Sequence, residues 1–273
     1  MRSEAAALRV PLRAVKLKRL ILPTEHGSWG FLLEPLVASL AVAFSIGGIW
    51  IALMVVGGFL SRQPLRYLLL GIAGKGFRTQ TIAALCLTIV FSAFFALGLA
   101  GAVATANPWS LFPFLVVAPL VSYQIFCDLS LKSRNLLPEV TGAVAISSSA
   151  AAIAFAGGMP WANAMAVWAI FIGRLIPSVL YVRTRLRLDK GKLARPFNAI
   201  FAHFIALSFV FALAWSGLVS YLIVAAFVIL FARAAFGLSG FRKRVKAMKI
   251  GIAEILYGVL TVAAFIAGHF LWF

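Results

Sequence analysis

The sequence predicts an all-α fold, a polytopic membrane helical bundle of about nine transmembrane helices, and three observations predict it. Apolar residues make up 63% of the chain and charged residues 12%, with a mean hydropathy of +1.03, outside the range of soluble globular domains. Apolar runs of about 20 residues, the length that crosses a bilayer as a helix, recur between breaks rich in Gly, Pro, Ser and Asn. Lys and Arg gather at alternate breaks, the pattern of loops held on the cytoplasmic side.

In order, the spans are expected near 25–45, 49–71, 80–103, 110–130, 138–156, 161–182, 197–215, 218–236 and 250–271. Before them, residues 1–20, MRSEAAALRVPLRAVKLKRL, lack the apolar core and cleavage site of a signal peptide. They read as a basic amphipathic cytoplasmic segment on an anionic leaflet, and residues 21–273 as a single transmembrane domain. The breaks SIGG, TANPWS, AGGMPWAN and WSG carry no charge, whereas those after spans 2, 4, 6 and 8 are basic. This places the N-terminus in the cytoplasm and the C-terminus outside. Trp50, Trp109, Trp161, Trp215 and Trp272 fall near the outer ends, as an interfacial belt requires. The net charge of +18 would suggest nucleic acid in a soluble chain, but topology accounts for it and no nucleic-acid partner is expected. Cys86 and Cys127 have no ligating neighbours, so neither a disulfide framework nor a metal site is predicted.

Span lengths carry the argument to function. Pro35 to Ser61 is 27 uncharged residues that must supply most of spans 1 and 2, which puts Glu34 and Arg62 inside the bilayer. Arg174 in span 6 and Arg233, about 22 Å into span 8, are similarly deep. Charges there need partners or a wet cavity. Glu34 is expected to pair with one of the arginines, and the surplus of deep arginines points to an inward-facing cavity for an anion such as a phosphate or diphosphate. Arg62 and Arg66, one turn apart, would clamp it beside Gln63. Arg174, Ser178, Tyr181 and Arg185 share a face of span 6, and Arg233 joins them from span 8. Asp128 lies with Gln124 on one face of span 4, with Lys132 a ready i,i+4 partner. Glu25, His26, Glu34 and Tyr181 are the acid/base candidates, while His203 is either acid/base or a packing histidine. Glu139 suits the first turn of span 5.

The stretch LPTEHGSWGFLLEPLV, with the later SRQPLR, resembles the YwiC-like family of bacterial integral membrane proteins. The motif that carries the resemblance is Pro-x-Glu-His-Gly-x-Trp, here Pro23, Glu25, His26, Gly27 and Trp29, followed by Gln63-Pro64. It implies a multi-pass protein of the bacterial cytoplasmic (inner) membrane and no settled activity. In architecture the chain is also similar to the UbiA-type intramembrane prenyltransferases. Those enzymes hold magnesium and an isoprenyl diphosphate with Asp-rich motifs on helices 2 and 6. Here the corresponding places carry Arg62, Gln63 and Arg66, and Arg174, Ser178, Tyr181 and Arg185, so magnesium is not expected and the cofactor is unknown.

Three functions stay open at this point. The first is a UbiA-like protein that binds an isoprenoid or lipid (di)phosphate from the membrane lipids and transfers it. The second is a small-anion or proton-coupled transporter, and the third a non-catalytic assembly factor within a membrane complex.

Overall fold

The computed structural model describes residues 26–73, 78–129 and 135–272, with the backbone alone at 26–28, 129 and 272. Its described residues form nine helices and no strand: α1 (His26–Val42), α2 (Ile46–Ile72), α3 (Arg78–Thr105), α4 (Phe112–Leu129), α5 (Leu136–Ala156), α6 (Trp161–Asp189), α7 (Pro196–Trp215), α8 (Tyr221–Leu238) and α9 (Ala247–Trp272). A short 3-10 turn, Pro108–Leu111, leads into α4. The eight helices α2 to α9 are long and apolar enough to cross a membrane, while α1 has 17 residues, or about 25 Å. The expected spans match these helices closely. The largest overrun is α6, which continues to Asp189, because a helix does not have to end where its apolar stretch does. The segment 1–20 lies outside the described residues.

Local chemistry explains the reversals. Gly158, Gly191 and Gly217 adopt φ of 83°, 71° and 75°, a conformation open mainly to glycine. In each case the next N–H bonds to the carbonyl five residues back: Met159 to Ala154, Lys192 to Arg187 and Leu218 to Leu213, at 2.9 to 3.0 Å. That closes the C-termini of α5, α6 and α7. Ser45 and Ser220 start α2 and α8 by accepting from Gly48 N and Leu222 N at 2.9 and 3.2 Å.

Small residues set the packing, since helices in lipid associate by close approach rather than by expelling water. The Ala-rich face of α5 is fully buried from Ala150 to Ala154. Its three buried serines, Ser147, Ser148 and Ser149, each donate to the carbonyl three residues earlier at 2.7 to 2.8 Å, so none reaches the core unsatisfied. Around α5 lie α1, α2, α4 and α6; α7 and α8 stack on α6, and α9 closes against α8 and α1. Gly57 and Gly98 fuse α2 to α3, because a Cβ on either would come within 2.5 Å of the facing backbone. Large apolar side chains such as Ile89, Leu97, Phe204 and Val259 face outward, as lipid contact requires. Trp109, Trp161 and Trp215 are exposed at one end of the bundle, here termed the neutral end. The opposite end, where α2, α4, α6 and α8 finish, is the basic end.

Candidate functional site

Five helices converge on a buried chain of alternating charge. Arg174 of α6 is 2% exposed. Its Nε lies 3.4 Å from Glu34 Oε2 of α1, and its Nη1 lies 3.6 Å from Glu254 Oε2 of α9. It also donates to the Glu254 carbonyl at 3.0 Å and to Ser178 Oγ. Glu254 Oε1 accepts from Arg233 of α8. The other arm of Arg233 donates to His203 Nε2 of α7 at 3.0 Å, while His203 Nδ1 donates to the Ala199 carbonyl at 2.8 Å. The Arg233 guanidinium lies 4.1 Å from the Tyr181 ring centroid and 4.9 Å from that of Tyr257, within cation–π range. Gly258 makes room for this arrangement, since a Cβ there would stand 2.0 Å from Glu34 Oε1.

Charge therefore balances in the bundle interior. Sequence reasoning expected a surplus of deep arginines because it gave Arg174 and Arg233 only Glu34 as a partner. Glu254, five residues after Lys249, was overlooked, although the depth argument applied to Arg174 would have found it. Arg185 is occupied differently: it bonds Asp189 at 3.1 Å and the carbonyls of Gly237 and Lys243, tying α6 to the end of α8. Tyr181 packs against Gly237, where a Cβ would fall 2.4 Å from its hydroxyl. The group expected on α6 thus divides between Arg174 and Ser178 on one side and Tyr181 and Arg185 on the other.

A second constellation lies on α2 and α4 toward the basic end. Asp128 accepts from both Nε and Nη2 of Arg62, the latter at 2.8 Å, a bidentate pairing across helices; Lys132 lies outside the described residues. Gln124 is satisfied when its oxygen accepts from Arg62 Nη2 and its nitrogen donates to the Pro138 carbonyl. Arg66 has no hydrogen-bonding or ion-pair partner among the described residues, and its Nε is buried. Gln63, on the same turn, is half-buried.

These side chains head a groove of about 560 Å³ between α2, α3, α4 and α5. Its walls are apolar, including Leu65, Phe95, Leu99, Phe114 and Val121, and its polar groups are Arg62, Arg66, Gln124 and Asp128 with Ser61 and Ser122. Beside it lies a chamber of about 290 Å³ lined by Glu34, Arg174, Ser178 and Glu254, with the 2.8 Å pair Arg183–Glu139 also in its wall. Phe59, Arg62, Gln124, Gly142 and Ile146 line both cavities. Of the residues proposed from sequence, Glu34, Arg62, Arg174 and Ser178 meet in the chamber, and Arg62, Arg66 and Asp128 in the groove. Tyr181, Arg185 and Arg233 line neither. Glu25 and the side chain of His26 lie outside the described residues. No group of three or more His, Cys, Asp or Glu among the described residues could hold a metal ion.

The family known as YwiC-like protein matches this chain over residues 22–154, from the Pro23–Trp29 motif through most of α5, which includes every helix of the groove. No curated protein and no solved structure matches the chain.

Proposed function

We propose that this YwiC-like integral membrane protein takes an isoprenoid or lipid (di)phosphate from the bilayer into the α2–α5 groove and transfers its lipid group to an acceptor in the adjoining chamber. Under this reading the basic end faces the cytoplasm, in keeping with the positive-inside rule, and the membrane is the bacterial inner membrane. The observation that carries it is the groove's asymmetry, a long apolar wall with Arg62 and Arg66 at one end, the latter without a partner among the described residues. An apolar tail suits the wall, and a phosphate suits two guanidinium groups one turn apart.

The transfer step follows from the shared wall. An acceptor hydroxyl oxygen attacks the carbon that bears the diphosphate, the C–O bond breaks, and the diphosphate leaves against Arg62 and Arg66. The hydroxyl proton passes to a carboxylate of the chamber, Glu34 or Glu254. Cationic donors placed where negative charge accumulates are the main aid to such a departure.

Native mass spectrometry of protein extracted from its own membrane tests the binding. An isoprenoid or lipid phosphate should be retained by the wild type and lost from Arg66→Ala and from Ala118→Trp, which fills the groove. Bulk phospholipid alone, unchanged by either substitution, would sink the proposal. A flux of small anions into proteoliposomes that depends on Glu34 would favour a transporter instead.

A further inference from the structure

We infer that the α6–α7 and α8–α9 loops together form a binding surface for the head groups of anionic phospholipids, independent of what the groove holds. Between Arg187 and Lys249 the chain has one acidic residue, Asp189, and it is already engaged. It accepts from Arg185 Nε at 3.1 Å and lies 3.8 Å from Arg242 Nε. Arg185 also donates to the carbonyls of Gly237 and Lys243, so the end of α6 is braced against the α8–α9 loop. Within each loop the backbone closes on itself, with Lys192 N donating to the Arg187 carbonyl at 2.9 Å and Phe241 N to Ser239 Oγ at 3.2 Å. Two loops far apart in sequence are thereby held as one face.

The face presents positive charge and apolar tips to its surroundings. Lys190, Lys192 and Arg195 on one loop and Lys243, Arg244 and Lys246 on the other are exposed, and none has a carboxylate partner among the described residues. Set among these cations, Leu193 is 95% exposed and Phe241 84%, while Phe197 and Phe236 carry exposed apolar surface along the adjoining ends of α7 and α8. That pairing selects the guest. A net-negative head group neutralises the cations, whereas a zwitterionic one brings its own ammonium. A soluble anion would satisfy the charge but leave Leu193 and Phe241 in water; a lipid offers them acyl chain beside its phosphate. The face also lies just beyond the apolar stretches of α6 to α9, the depth of head groups in a bilayer, so a lipid is already within reach and a nucleic acid or acidic protein would have to displace it.

Native mass spectrometry of the full-length, detergent-solubilised protein, titrated with phosphatidylglycerol and with phosphatidylcholine of the same acyl chains, tests it. The anionic lipid should bind about tenfold tighter or more. Combining Lys243→Gln, Arg244→Gln and Lys246→Gln leaves the brace intact, since Lys243 joins it through its carbonyl, and should cut that preference about fivefold or more. Leu193→Ser with Phe241→Ser should weaken both lipids. Arg66→Ala, in the groove, should leave the preference untouched, which separates this surface from the groove reading, and a thermal melt confirms that each variant folds. Equal affinities in the wild type, a preference unchanged by the triple substitution, or one removed by Arg66→Ala would overturn the inference. So would displacement of phosphatidylglycerol by glycerol phosphate, an acidic peptide or an oligonucleotide at concentrations comparable to the lipid, which would assign the face to a soluble partner.

Discussion

The two arginine sites use the same chemistry to opposite ends. In the α1–α6–α8–α9 network each guanidinium is wrapped by carboxylates, carbonyls or an imidazole, and Arg174 is 2% exposed. At the head of the groove Arg62 has one carboxylate and remains 41% exposed, while Arg66 has none among the described residues. A closed, neutral network holds helices in register. An open, basic one keeps binding capacity for something the chain does not supply, and the difference is set by how many carboxylates pack within reach rather than by the number of arginines.

Substitutions can break or sharpen this contrast. The largest effect is expected at Arg174→Ala, which leaves Glu34 and Glu254 buried and facing each other. Removing one partner from a buried ionic group costs about 3–5 kcal/mol, seen as a large fall in melting temperature of the solubilised protein. Restoring neutrality with Glu34→Gln in the same chain, which leaves Glu254 to Arg233, should recover part of it. Gly258→Leu attacks the same network sterically by driving a side chain into the space of the Glu34 carboxylate, with a loss of about 1–3 kcal/mol by the same assay.

Across the contrast, Arg62→Ala strands the buried Asp128 carboxylate, and because Arg62 is partly exposed the cost should be about 1 kcal/mol. Equal damage from Arg62→Ala and Arg174→Ala would erase the distinction between the two sites. The smallest stability effect belongs to Arg66→Ala, expected within about 0.5 kcal/mol. If this variant melts like the wild type yet loses its lipid phosphate, the open site is a binding site; a marked loss of stability would reveal a structural arginine.

Much of this molecule was legible as text. Helix positions followed from apolar length, and their ends from residues such as Ser45, Gly158 and Gly217, because both constraints act within a few residues along the chain. Counting residues between charges pointed to Glu34 and Arg174, which the bundle buries, and to Arg62, which stays exposed. Pairing was not legible in this way. Asp128 takes Arg62, 66 positions distant, a partner across helices that spacing along one helix does not reveal.

What the sequence by itself determined is the apolar helical bundle, the nine helices of the described residues and their order, since hydropathy and turn chemistry are local and nearly additive. Only the tertiary structure decided which arginines are spent. It brought Glu254 from the last helix to Arg174 and Arg233, cleared room for Glu34 at Gly258, and left Arg66 without a carboxylate among the described residues. Electrostatic pairing falls off over a few ångströms in space, and distance along the chain does not report that separation.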